Sequence, residues 1–221
     1  MRIKRIIAAL CITLILIGKA WAGFDAINPT FCRVEDSKFP RGSAVVIGEN
    51  KESYFILTAG HVVADDKTLY LRFYHDRIPS EKIPAKVIKK VYQVDTINDL
   101  AELELKKADY HYLPPRSIKL APATLDLSNS IFYNVGIPDG HDGWPIFYKG
   151  YFLKEKVTGS GADGLAIYPP PARGRSGSGI CVETSQGTEL VGIVILTSGK
   201  DGIAVPVWRI EDFLNEKPNL Y

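Results

Sequence analysis

The sequence predicts an all-β fold, a sandwich or barrel built in two units and finished by one short C-terminal helix. Three observations predict it. Short runs rich in Val, Ile, Tyr and Phe alternate with Gly, Pro, Asn and Asp punctuation over most of the chain. A stretch over 109–127, with Pro114-Pro115 and Pro122, breaks that rhythm and separates a unit at 28–108 from one at 128–205. A helical spacing of apolar residues first appears after Val207.

The first unit holds predicted strands at Ser43–Ile47, Tyr54–Leu57, Leu69–Tyr74 and Leu100–Leu105. The second holds Ile131–Val135, Ile146–Phe152, Leu165–Tyr168, Ile180–Glu183 and Leu190–Leu196. Turn signals at Gly48-Glu49-Asn50, Pro138-Asp139-Gly140, Gly159-Ser160-Gly161 and Ser185-Gln186-Gly187 separate them. The helix falls within 206–217. Trp208, Ile210, Phe213 and Leu214 form its apolar face, and Lys217-Pro218 ends it.

The chain opens on a segment that is not part of this fold. Arg2, Lys4 and Arg5 precede an apolar run from Ile6 to Gly18, and Ala20-Trp21-Ala22 has the small-x-small pattern of a cleavage site. Residues 1–22 therefore read as a secretory signal peptide cleaved after Ala22, placing the protein outside the cell or in a periplasm. The apolar run is short for a span, which takes about 20 residues. Retention as a membrane anchor is the alternative, and the one way a membrane enters. Cleavage takes four cations and no acids from a chain of formal charge +2, so the mature protein has no basic excess to meet a nucleic acid.

Cys11 leaves with the signal, so Cys32 and Cys181 remain in an oxidising compartment. They form one disulfide, or they are two separately buried thiols. A bridge would close a loop of roughly 150 residues and contribute about 4–5 kcal/mol through chain entropy.

The chemistry-bearing motif is Gly174-Arg175-Ser176-Gly177-Ser178-Gly179. Glycines two before and one after Ser176 let it sit on a tight turn with its hydroxyl exposed. The N–H groups of Gly174 and Ser176 then converge on one point, the geometry of an oxyanion hole. Ser178 is a second hydroxyl, but the residue two before it is Ser176, so the geometry favours Ser176.

A serine needs a base to act as a nucleophile. His61 follows the run Phe55-Ile56-Leu57-Thr58-Ala59-Gly60, an apolar strand that ends in a small-residue turn. His75, His111 and His141 lie in charged, Pro-rich or Gly-rich surroundings that read as solvated loops. An acid must orient the base. Asp99 shares a strand face with Ala101, Leu103 and Leu105. A carboxylate on an apolar face requires a partner, and a histidine N–H is one. Asp95 is the alternative, without an in-phase apolar run after it.

Thr58-Ala59-Gly60-His61, Asn98-Asp99-Leu100-Ala101 and Gly174-Arg175-Ser176-Gly177 together resemble the three signature blocks of trypsin-like serine proteases, in the order of that family's triad and at the spacing of its compact bacterial members. Val135-Gly136-Ile137-Pro138, Leu190–Val194 and Gly202–Pro206 are similar to supporting strands of the family, and the likeness spans 28–216. It implies two antiparallel six-stranded barrels with the active site in the cleft between them. It implies a secreted serine endopeptidase acting on a protein or peptide through an acyl-enzyme, with no cofactor or metal. His61, Asp99 and Ser176 would be the triad, and Gly174 and Ser176 the oxyanion donors. The different-class alternative is a catalytically inactive binding module on the same fold.

Two departures from the family stand out. Many members place an aspartate before the nucleophile, where it pairs with a freed N-terminus. Here the residue is Arg175, which cannot accept that ion pair, so no such switch is expected. The residue after Gly177 is Ser178 instead of glycine. By the same resemblance, the specificity pocket draws on Pro170, Ile195, Thr197 and Gly202, with no acid among them. It would take small or apolar side chains, with Thr197 and Ser198 allowing a hydrogen-bonding variant.

Other signals fail in context. Gly159–Gly164 fits G-x-G-x-x-G, but Leu165–Tyr168 runs into three prolines where a dinucleotide site needs a helix. No lysine follows Gly174–Gly179 as a phosphate loop requires. The residue two after Ser176 is not the glycine of G-x-S-x-G, and no Cys/His spacing suits zinc.

Overall fold

The computed structural model describes residues 30–64, 68–75, 78–94, 96–138, 145–153, 164–198 and 200–216. The signal segment, Asp95, His141 and most of the 159–164 glycine motif lie outside the described residues.

The first unit contains β1 (Phe31–Glu35), β2 (Pro40–Glu49), β3 (Ser53–Thr58), β4 (Leu69–His75), β5 (Ile78–Pro79), β6 (Ile83–Tyr92) and β7 (Asp99–Lys106). Strands β1-β2-β3-β7-β6-β4 pair in that order, and β4 returns to β1. The ring is thus a closed six-stranded antiparallel barrel, with β5 an extra hairpin arm on β4. Closure removes the edges that an open sheet exposes.

The second unit contains β8 (Lys119–Leu120), β9 (Ile131–Gly136), β10 (Ile146–Phe152), β11 (Leu165–Tyr168), β12 (Gly179–Thr184), β13 (Gly187–Ser198) and β14 (Asp201–Pro206). Here the ring is β12-β9-β10-β11-β14-β13, closed between β13 and β12. β8 lies inside the Pro-rich connector and adds a short parallel pair to β13. The fold is all-β, with two antiparallel six-stranded barrels and one helix, α1 (Val207–Asn215).

Apolar periodicity explains most of this. β3 alternates within a nearly continuous buried run, and β7 buries Asp99, Ala101, Leu103 and Leu105 on one face while Glu102 and Glu104 turn outward. One buried cluster joins barrel-one residues such as Ile56, Leu57 and Leu103 to Val135, Ile137, Cys181 and Ile193 of barrel two. Burying a side chain of this size contributes about 1.5–3 kcal/mol, so the barrels are welded through apolar surface. The helix packs on β13 and β14 through Val207, Ile210 and Phe213. Trp208, expected on the packing face, is 40% exposed. Only every third to fourth position faces the sheets, and Trp208 is next to Val207, about 100° around the helix. Lys89 of β6 donates to the Phe213 and Glu216 carbonyls and lies over the Phe213 ring, so barrel one supplies the cation at the helix C-terminus.

Of the two arrangements open for the cysteines, the structure has the unpaired one. Cys32 and Cys181 are free thiols, each fully buried, on β1 of one barrel and β12 of the other. Apolar burial pushes both thiols far above their ordinary value, which leaves them inert packing groups.

Candidate active site

β3 delivers His61. Its apolar run ends at Thr58, and the chain enters a single 3₁₀ turn, Gly60–Val63, that carries the imidazole. Gly60 makes this turn fit: a Cβ there would lie 2.3 Å from the Val91 carbonyl oxygen and 3.1 Å from Asp99 Oδ1. The turn thus presses against β6 and the start of β7, where Asp99 stands.

Asp99 uses both oxygens on His61. Oδ1 accepts the His61 backbone N–H at 2.7 Å, and Oδ2 lies 2.7 Å from Nδ1. Asp99 is only 6% exposed. With Nδ1 donating to Asp99, Nε2 is left as the basic lone pair. The imidazole edge stays open to solvent, with the Tyr92 ring 6.2 Å away.

Ser176 comes from the other barrel, on the turn before β12. Arg175 N–H closes a turn on the Ala172 carbonyl at 3.4 Å, with Gly174 at φ +86° in its third position, where a type II turn needs glycine. Among the described residues, neither Gly174 N–H nor Ser176 N–H has an intrachain acceptor.

This turn is docked on barrel one beside His61. The Ser43 N–H donates to the Ser176 carbonyl at 2.7 Å, and Ser43 Oγ donates to the Gly174 carbonyl at 3.1 Å. Thr58 Oγ1 donates to the Ser43 carbonyl at 2.7 Å. Gly177, at φ +86°, is held so closely that a Cβ would lie 2.0 Å from the Ser43 carbonyl and 2.2 Å from Thr58 Oγ1. Thr58 is three residues before His61, so these contacts set the Ser176 turn against the end of β3 from which the His61 turn departs. Among the described residues, the His61 ring hydrogen-bonds to Asp99 and not to Ser176 Oγ. Catalytic hydrogen bonds of this kind commonly tighten only with substrate bound.

Arg175 points away from solvent. It is 2% exposed, donates from Nη1 to Asn134 Oδ1 at 2.7 Å and from Nη2 to the Ile146 carbonyl at 2.8 Å, and lies 5.1 Å from the Tyr148 ring. Desolvation lowers its pKa to about 10, so it stays charged at neutral pH. Ser178 is fully buried and doubly engaged: Oγ donates to the Arg175 carbonyl at 2.6 Å and accepts from Asn134 Nδ2 at 2.8 Å. Its hydroxyl is thus engaged within the turn.

The pocket residues converge in part. Thr197 Oγ1 donates to the Pro171 carbonyl at 3.1 Å, Thr197 pairs with Gly202, and a Cβ on Gly202 would lie 2.3 Å from Pro171 Cδ. Pro170 is half-buried beside them, and Ile195 is buried. Asp201 pairs with Ser198, so strand alternation turns it to the face opposite Gly202. His75 is the last residue of β4, and His111 is exposed in the connector. No group of three His, Cys, Asp or Glu side chains among the described residues could hold a metal, and no helix among them is long and apolar enough to cross a membrane.

Two contributors escaped the sequence reading, Asn134 and Ser43. Asn134 is in phase with Phe132 on β9, a polar side chain on a buried face. That is the signal that singled out Asp99.

No protein-family model matches the sequence, and no curated protein does. Solved structures match in fold. Rv3671c from M. tuberculosis, a serine-to-alanine mutant in an inactive form, aligns at TM-score 0.61 and 17% identity, over 87% of this chain and 88% of that one. The HtrA-type protease AlgW, a serine-to-alanine variant with a tripeptide, aligns at 0.66 and 18%, over 87% of this chain. The serine endoprotease from Yersinia pestis aligns at 0.64 and 21%, also over 87%. The alignments cover 61% and 64% of the last two chains. The architecture is therefore the two-barrel fold of trypsin-like serine proteases, HtrA-type enzymes among them.

Proposed function

We propose that the protein is a secreted serine endopeptidase working through His61, Asp99 and Ser176. One observation carries this reading: the twofold Asp99–His61 pairing sits beside a serine turn that Ser43 and Thr58 dock onto the same corner. Ser176 Oγ attacks the peptide carbonyl carbon as His61 Nε2 takes its proton. The C–N bond breaks as that proton passes to the leaving amine. Water repeats the sequence on the acyl-enzyme, freeing the acid and restoring Ser176. The N–H groups of Gly174 and Ser176 hold the oxyanion, and losing one such donor costs about 10²–10³ in rate.

A fluorophosphonate probe tests this. Wild type is labelled on Ser176, and Ser176→Ala is not. Absence of wild-type labelling, or equal labelling of the variant, would favour an inactive binding module. The free Ser176 hydroxyl keeps that second reading alive. The substrate is a peptide with a small or apolar residue before the scissile bond, since Pro170, Ile195, Thr197 and Gly202 offer no acid. A peptide library cleaved mainly after Lys or Arg overturns that assignment. Removal of residues 1–22 after Ala22 is read by mass spectrometry of the mature N-terminus, and an intact start indicates a membrane anchor.

A further inference from the structure

A buried guanidinium calls for an explanation, because a charge taken from water needs strong compensation. Among the described residues no carboxylate pairs with Arg175. Its charge rests on an amide oxygen, a peptide carbonyl and the face of Tyr148. The hydrogen bonds nevertheless form a closed circuit. Arg175 Nη1 donates to Asn134 Oδ1, Asn134 Nδ2 donates to Ser178 Oγ, and Ser178 Oγ donates to the backbone carbonyl of Arg175. Asn134 Nδ2 also reaches the Gly179 carbonyl at 2.7 Å, and Ser178 N–H reaches the Arg175 carbonyl at 3.0 Å. Ser176 and Gly177 are the residues enclosed between the two ends of this circuit.

The backbone also has its place for this arginine. Gly136 lies one face-step beyond Asn134 on β9, and a Cβ there would meet Arg175 Cγ at 2.9 Å. The site is thus cut to the arginine stem as well as to its head.

Resting on the function proposed above, we propose that Arg175 is a positioning residue which, through Asn134 and Ser178, fixes the nucleophile turn with the Gly174 and Ser176 amides directed outward. The lock is internal. It connects residue 175 to a strand 41 positions away. A guanidinium suits the task because its fork reaches Asn134 and the Ile146 carbonyl at once.

The test compares Arg175→Met, Arg175→Lys and Ser178→Ala in the full chain. Arg175→Met is expected to lower kcat about a hundredfold, the scale of losing one oxyanion donor, with KM changed less than about threefold. Arg175→Lys, which can still donate to Asn134, falls less. Ser178→Ala, which opens the circuit at its smallest link, also lowers kcat at near-constant KM. Wild-type kcat in Arg175→Met, or a loss confined to KM, overturns the proposal. Amide hydrogen exchange supplies a readout that does not depend on activity. Gly177 and Ser178 N–H should lose protection in Arg175→Met while the β3 and β7 amides keep theirs. Unchanged protection at the turn, or loss throughout both barrels, refutes a local lock. If wild type fails to react with the fluorophosphonate yet Arg175→Met shows this exchange pattern, the peptidase reading fails and the lock stands.

Discussion

The two halves of the site are held by different physics. Barrel one fixes His61 with a single acid: Asp99 accepts one bond from its backbone N–H and one from its ring, at the mouth of an apolar strand pair. Barrel two fixes the serine with a distributed polar network, in which Arg175, Asn134 and Ser178 each make at least two hydrogen bonds and Ser43 joins the turn to its neighbour. A base needs one orientation about one ring, which one bidentate acid supplies. An oxyanion site needs several backbone groups of a glycine-containing turn to hold direction at once, which takes many small constraints.

Breaking the barrel-one half should have the largest effect on rate. Asp99→Asn keeps the shape but presents an N–H where His61 Nδ1–H needs an acceptor, favouring the wrong tautomer. The expected loss in kcat is about 10⁴-fold, or roughly 5.5 kcal/mol of barrier, measured on any cleaved peptide with the fold checked by circular dichroism. A loss under tenfold would mean that Asp99 is not the orienting acid.

The glycines test where each half touches its support. Gly177→Ala combines a left-handed backbone with a Cβ driven to 2.0 Å from the Ser43 carbonyl. Strain of about 1–2 kcal/mol adds to overpacking of about 1–3 kcal/mol. Gly60→Ala carries the overpacking alone, against the Val91 carbonyl. Denaturant midpoints should therefore fall further for Gly177→Ala, and both variants should lose activity. A reversed order would show that the inter-barrel contact yields more easily than the histidine turn.

The same contrast explains what could be read from the chain. Asp99 stood out as a polar group at a fixed phase of an apolar strand, and His61 as the polar group on the small-residue turn that ends one. Ser176 was legible because its glycines sit where the turn demands them. Asn134 carried the same signal as Asp99, but its partners lie 41 and 44 residues away, and no local pattern pairs them. Arg175 in a Gly/Ser run has the composition of a solvated loop, and only the tertiary structure buries it. Among the strands, β6 was missed because it starts with Ile83-Pro84, carries Lys86, Lys89 and Lys90, and has one fully buried residue. Its pairing with β4 and β7, and not its own pattern, makes it a strand. The two cysteines, 149 positions apart on β1 and β12, left pairing and separate burial equally open in the sequence, and the structure has them as separate buried thiols.

The smallest effects come from the outward face of β7, at Glu102 and Glu104, three and five residues beyond Asp99 at the start of the strand. Desolvation raises the Glu102 carboxyl above its ordinary value of 4.5, with Lys89 opposing more weakly. Hydrogen bonds from Lys106 and Ser53 lower Glu104. A raised acid binds its proton more tightly when folded. Its ionised form therefore costs stability as pH climbs from about 4.5 through its folded value, and Glu102→Gln should raise Tm at pH 7–8 with the gain vanishing in acid. A lowered acid contributes stability above its unfolded value and loses it as pH falls through the folded one. Glu104→Gln should thus lower Tm slightly at neutral pH, since that side chain is largely solvent-screened, and converge with wild type in acid. A Glu102→Gln variant less stable than wild type at pH 8 would contradict the desolvation argument. Neither change should move kcat, because both side chains face away from Asp99, and a shared loss would show that the acid is held by the whole strand and not by His61 alone.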